Sequence, residues 1–93
     1  MIKEGDYELV LTPPARRALS DRLPEAVAAA AIDFLTTALV EQPRRVGKHL
    51  REELSGLWSA RRGTYRVLYR IHDEPAEVVV VGIEHRRDMY RLR

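Results

Sequence analysis

Two runs of alternating residues that meet at Gly63-Thr64 constrain this chain more than any other stretch. The segment reads Gly56-Leu57-Trp58-Ser59-Ala60-Arg61-Arg62-Gly63-Thr64-Tyr65-Arg66-Val67-Leu68-Tyr69-Arg70-Ile71. Glycine reaches positive φ at no steric cost, so Gly63-Thr64 is expected to form a tight turn between two strands. Successive side chains of a strand point to opposite faces. Before the turn, Trp58, Ala60 and Arg62 share one face, with Ser59 and Arg61 on the other. After it, Tyr65, Val67, Tyr69 and Ile71 share a face, with Arg66, Leu68 and Arg70 opposite. A half-apolar hairpin thus carries Arg61, Arg62, Arg66 and Arg70. Arginine is a costly strand residue unless its guanidinium meets an anion. The hairpin is therefore expected to floor a site for an anion, with phosphate the leading choice.

The chain has 93 residues, enough for one domain, 1–93, that buries about two-thirds of its unfolded surface. Hydrophobic residues make up 45%, and charges are well mixed, so a globular fold is expected rather than disorder. Cysteine is absent, which removes disulfides and thiolate chemistry together. No apolar run approaches the ~20 residues of a membrane span, and no secretory signal opens the chain. A cytoplasmic protein is expected. His49, His72 and His85 lack metal-ligand spacing, so no metal site is expected, and no cofactor is called for. The net charge of +2 hides an asymmetry: residues 1–43 hold four Lys and Arg against seven Asp and Glu, residues 44–93 twelve against seven. The basic half is the expected contact for a polyanion.

Tyr7–Leu11 alternates as a first strand, with Tyr7, Leu9 and Leu11 on one face. Thr12 is the expected N-cap of a short helix that starts with Pro13 and runs to about Ser20. Ala15, Ala18 and Leu19 face inward; Arg16 and Arg17 face water. Leu23-Pro24 breaks this helix and starts a second, about 25–41, with Val27, Ala31, Phe34, Leu35 and Ala38 at helical spacing. Between Glu25 and Glu41 only Asp33 is charged. That pale outer face is either a row of exposed alanines or the seat of a partner chain. Arg44–Arg51 reads as a basic loop or short turn; without GxxxxGK[ST], its Gly47-Lys48 is no phosphate-binding loop of the P-loop kind. Glu52–Ser55 leads into the hairpin. In Glu77–Ile83, four consecutive valines imply a strand buried on both faces, central or nearly so. Glu84–Arg91 closes the chain. The order β-α-α-β-β-β implies an α+β fold, a helical hairpin packed on a small, twisted, mostly antiparallel sheet.

Arg61, Arg66, Arg86 and Tyr90 come from three late segments that neighbouring strands can bring to one face or edge. Arginine clusters hold phosphate bidentately and stabilise a pentacoordinate phosphorane by charge. His85 and Tyr90 can carry protons, Tyr90 with a pKa depressed by guanidinium neighbours. This set suits metal-independent phosphodiester cleavage in which an RNA 2′-hydroxyl attacks its own phosphate. Each residue also has a plainer role open to it. Arg66 can pair with Glu77 or Glu84 across strands, Tyr90 can pack as an edge aromatic, and His85 can be structural. Lys48, Arg44 and Arg45 can be solvated loop charges or contacts to a nucleic-acid backbone.

Three segments taken in order carry a resemblance: Arg45–Leu50 with "GKxL", Leu54–Tyr69 with "GxWSxRxGxYRxxY", and Gly82–Tyr90 with "HRxxxY". Together they resemble the RelE/ParE toxins of bacterial toxin–antitoxin modules, and more closely the RelE branch in its actinobacterial style. The resemblance implies a RelE-like fold over essentially the whole chain. It also implies a ribosome-dependent endoribonuclease that cuts mRNA in the ribosomal A site. Carried over by position, Arg66 would contact the scissile phosphate and Arg61 would support it. Arg86 would stabilise the transition state or leaving group, and Tyr90 would stack on a base or assist proton transfer. His85 stands where some relatives carry a basic group. Lys48, Arg44, Arg45, Arg62 and Arg87 would contact RNA or ribosome. The best-studied branch has strand lysines where this chain has Trp58, Ser59 and Ala60, which leaves Lys48, His85 and Tyr90 as candidates for the general base. The implied partners are an acidic, RelB-like antitoxin on the second helix, in a hetero-oligomer, and the ribosome with its mRNA. Two other readings are a ParE-like DNA gyrase inhibitor without catalysis and a small RNA- or ribosome-binding module.

Overall fold

The computed structural model describes residues 7–50 and 56–86. Strand β1 (Glu8–Leu11) leads into helix α1 (Pro13–Arg17), which widens into a π-type turn over Ala18–Arg22. Helix α2 (Glu25–Phe34) widens the same way over Leu35–Leu39. Strands β2 (Lys48–His49), β3 (Trp58–Arg62), β4 (Tyr65–Asp73) and β5 (Ala76–His85) follow. The five strands form one sheet in the order β1-β5-β4-β3-β2. Only β1 and β5 run parallel; the other neighbours are antiparallel. The expected α+β architecture is therefore present, with one addition. Lys48-His49, read from sequence as loop, pairs with Ser59 and Trp58 as a two-residue edge strand. A pair that short has no alternation to reveal it.

Thr12 caps α1 as expected: its Oγ accepts from the Ala15 amide at 3.4 Å. The same hydroxyl lies 3.0 and 3.1 Å from the carbonyls of Val80 and Val81, and the Thr12 amide donates to Val80 O. One residue thus starts the helix and ties it to β5. In the second helix, the hydroxyls of Thr36 and Thr37 donate to the carbonyls of Ile32 and Asp33 four residues back. Such back-bonding competes with the helical ladder and accompanies the wide turn here. The buried side of this helix is Ala28, Ala31, Phe34, Leu35 and Leu39, while Val27 and Ala38 lie at its margin. Its outer face, with Ala29, Ala30 and Asp33, is exposed, and Ile32 is 47% accessible.

The helices cover one face of the sheet. Ala60, Tyr65, Val67, Tyr69, Val78, Val80 and Ile83 point into that layer and are buried. Each fully buried aliphatic side chain contributes about 1.5–3 kcal/mol of apolar transfer free energy. Val78, Val80 and Ile83 break strict alternation because the β4–β5 register slips by one residue: Leu68 faces Gly82 but Tyr69 faces Val80. The bulge at Val81 re-aims the strand so that Val80 and Ile83 both reach the core. Val79 and Val81 are only half-buried, so β5 is internal in the sheet but fully covered on one face alone.

Candidate functional site

On the face away from the helices, register decides what meets what. Arg61 is the Cα partner of Arg66, and Arg66 is the partner of Glu84. Directly paired strand residues share a face and stand about 4.5–5.5 Å apart. Arg61, Arg66 and Glu84 therefore form one row across β3, β4 and β5. The next row is Lys48, Ser59, Leu68 and Gly82. Gly82 carries no side chain, and the space over it is empty. A groove of about 430 Å³ lies over this corner, lined among others by Arg45, Lys48, Ser59, Arg61 and Arg66.

Two guanidinium groups directly opposite one another repel. Glu84 offsets that repulsion from the far side: Nε and Nη2 of Arg66 both donate to its Oε1, at 3.2 and 2.5 Å. The pair is about one-third exposed, 35% and 37%, so water screens it and its net worth is about 1 kcal/mol or less. Arg66 thus takes the cross-strand carboxylate that the sequence offered as its plainer role, while still facing the groove.

The loop before β2 is clamped from beneath. Tyr69 is fully buried, and its hydroxyl donates to the Pro43 carbonyl at 2.7 Å. Burial pushes the Tyr69 hydroxyl up to about 12, so it stays a neutral donor. Gly47 passes directly over that hydroxyl. A Cβ there would overlap the Tyr69 oxygen and come within 2.9 Å of the Ser59 carbonyl. Only glycine allows the loop so close, and the next residue, Lys48, is thereby delivered to the row beside Arg61. Gly47 and Tyr69 are the positioning residues the sequence did not disclose. Its one signal was a glycine before the lysine, with no hint of the distant phenol.

Against this geometry, the chain matches the family model described as the ParE toxin of the type II toxin–antitoxin system parDE, over residues 9–90. The chain belongs to the RelE/ParE toxin family. It is 51% identical to toxin RelG of Mycobacterium tuberculosis over 85 residues, covering 91% of this chain and 97% of that one. It is 44% identical to toxin RelE of the same organism over 92 residues, covering 99% and 94%. Its fold superposes on the toxin–antitoxin complex RelBE2 of M. tuberculosis with a TM-score of 0.84 at 49% identity, covering 87% and 99%. The chain is thus a toxin of a type II toxin–antitoxin system, of RelE type, and the RelE-like fold expected from its motifs is the one it has.

The RelE-type sheet does not gather every residue that the motifs singled out. Arg44 lies at the opposite end of β4. There it donates to Asp73 at 2.9 Å and to the Tyr7 hydroxyl at 3.0 Å. Seven residues of strand separate Asp73 from Arg66, about 23 Å. Arg62 turns to the helix face, where its guanidinium sits 4.6 Å from the centre of the Phe34 ring, though it also edges the groove. His85 is the register partner of Tyr65, so it too points to the helix side, away from Arg66. Its Nδ1 is buried there without a hydrogen-bond partner among the described residues. Alternation separates both residues from the groove: Arg62 is one position from Arg61 on β3, and His85 is one position from Glu84 on β5. Arg86 is exposed just past β5, and its amide donates to Thr64 O beside the hairpin turn. Arg87 and Tyr90 lie outside the described residues, as does Glu52–Ser55. The sheet brings together Arg61, Arg66 and Lys48, with Arg45 on the groove wall.

Proposed function

We propose that this toxin is a ribosome-dependent endoribonuclease that cuts mRNA in the A site, without metal, by attack of a 2′-hydroxyl on its own phosphate. The observation that carries the reading is the Arg61–Arg66 pair opposite one another on the open face, with Lys48 one row away. Two forked guanidinium groups and an ammonium match the negative charge on the two non-bridging oxygens of a phosphorane. In this reading Arg66 grips the scissile phosphate, Arg61 supports it, and Arg86 meets charge developing at the leaving oxygen. The 2′-oxygen to phosphorus bond forms, the bond to the 5′-oxygen breaks, and a proton moves from the attacking to the leaving oxygen. Of the two candidate bases among the described residues, Lys48 and His85, Lys48 is the one on the groove. Tyr90 keeps its proposed part, stacking on a base or assisting proton transfer.

The named relatives support this reading. Toxins RelG and RelE of M. tuberculosis share about half the sequence, and RelBE2 is a toxin–antitoxin complex. An acidic, RelB-like antitoxin would lie on the weakly charged outer face of α2, where Ile32 is exposed. The toxin would act in the cytoplasm, where ribosomes and mRNA are.

One observation favours a second reading. The matching family model carries the ParE description, and a ParE-type toxin would act by poisoning DNA gyrase through protein contacts. Mapping of mRNA 5′ ends after brief induction, beside an Arg66→Ala control, separates the two. New ends inside translated codons, absent from the control, are expected. Growth arrest with no new ends and altered DNA supercoiling would move the toxin to the gyrase class.

A further inference from the structure

We propose that Glu84 is a built-in counter-ion that a substrate phosphate must displace from Arg66, and that it thereby lowers how tightly the toxin holds RNA. The proposal rests on the RNA-cleaving reading and deepens it. A guanidinium offers a phosphate its side-on edge, the Nε and one Nη, as two parallel donors. In the resting toxin both of those donors of Arg66 end on Oε1 of Glu84. The edge a phosphate needs is therefore occupied by an anion from the same sheet row. The pairing is fixed by the β4–β5 register, not by a flexible loop, so the carboxylate is always at hand to compete. It is also one-third exposed, so it can swing into water when displaced.

A phosphate bringing no other contacts pays the cost of that exchange in full. One delivered with further contacts, as on a ribosome, recovers it elsewhere. Glu84 thus weakens every RNA complex by the same factor, which leaves an RNA without further contacts largely unbound, and it keeps Arg66 neutralised and positioned.

The test measures binding of a short, single-stranded 2′-O-methyl RNA, which cannot be cut, to the full chain. Variants at Glu84, Glu77 and Arg66 are compared with the parent. Glu84→Gln is expected to bind about fivefold more tightly, the range of one partly exposed ion pair. Glu77→Gln changes net charge equally on the same strand, seven residues away, and is expected to bind as the parent does. In an Arg66→Lys background, which keeps the charge but loses the fork, Glu84→Gln is expected to gain nothing beyond Glu77→Gln. On programmed ribosomes, Glu84→Gln is expected to lower KM without raising kcat. An equal gain from Glu84→Gln and Glu77→Gln would reduce the effect to bulk charge and overturn the counter-ion role, leaving the nuclease reading standing. Binding that Arg66→Ala leaves unchanged would overturn the reading of the face itself, and the counter-ion role with it.

Discussion

Strand β4 is two surfaces on one backbone. Its odd positions, Tyr65, Val67 and Tyr69, are buried under the helices; its even positions, Arg66 and Leu68, lie on the open face of the sheet and are partly exposed. The buried side is held by many small apolar contacts that none of its members dominates. The groove side depends on a few charges whose register partners decide what they can do. Stability and chemistry therefore divide by parity along a single strand, and a change at one position should disturb one and spare the other.

The largest expected effect tests that division directly. Arg66→Ala should lower mRNA cleavage about 100-fold or more, the loss typical of removing one charge-stabilising donor, while Tm stays within a few degrees of the parent. A mutant that unfolds instead would merge the two surfaces. On the other side, Leu39→Ala removes a fully buried side chain and should cost about 2–5 kcal/mol in chemical denaturation.

Tyr69→Phe sits where the two surfaces meet. It removes the donor to the Pro43 carbonyl and should cost about 1–3 kcal/mol for the unpaired buried acceptor. Because the Tyr69 hydroxyl is held up at about 12 by burial, its share of stability is complete below about pH 10 and lost as pH rises toward 12. Alkaline unfolding of the parent but a flatter limb in Tyr69→Phe would show this. Gly47→Ala crowds the same phenol and should reduce cleavage more than stability, since it displaces Lys48 from its row.

The smallest effect belongs to the far end of β4. The hydrogen bond from Arg44, aided by that from Tyr7, holds Asp73 below the usual carboxylate range. A depressed carboxylate stabilises the fold above its unfolded pKa of about 4 and loses that stabilisation as pH falls through its folded value. Asp73→Asn should flatten the acid limb of a pH–stability curve slightly and leave cleavage unchanged. A cleavage defect there would mean that Arg44 reaches the substrate after all.

Local pattern was enough to read the hairpin, the cap at Thr12, the buried side of α1 and the parity of β4, because each depends on residues a few positions apart. It also put Arg70 on the face of Arg66. The pairing of Lys48-His49 as β2, the bulge at Val81, and the destinations of Arg44, Arg62 and His85 were not legible. In each case the deciding partner lies far along the chain: Ser59 for Lys48, Asp73 for Arg44, Phe34 for Arg62.

By itself, then, the sequence determined which side chains are available and to which face of its strand each belongs, since alternation and capping are local. Only the tertiary structure decided which charges meet. Strand register chose Glu84 over Glu77 as the partner of Arg66, and a phenol lying 22 residues beyond Gly47 brought Lys48 to the groove. Both outcomes follow from packing between segments that no short-range rule connects.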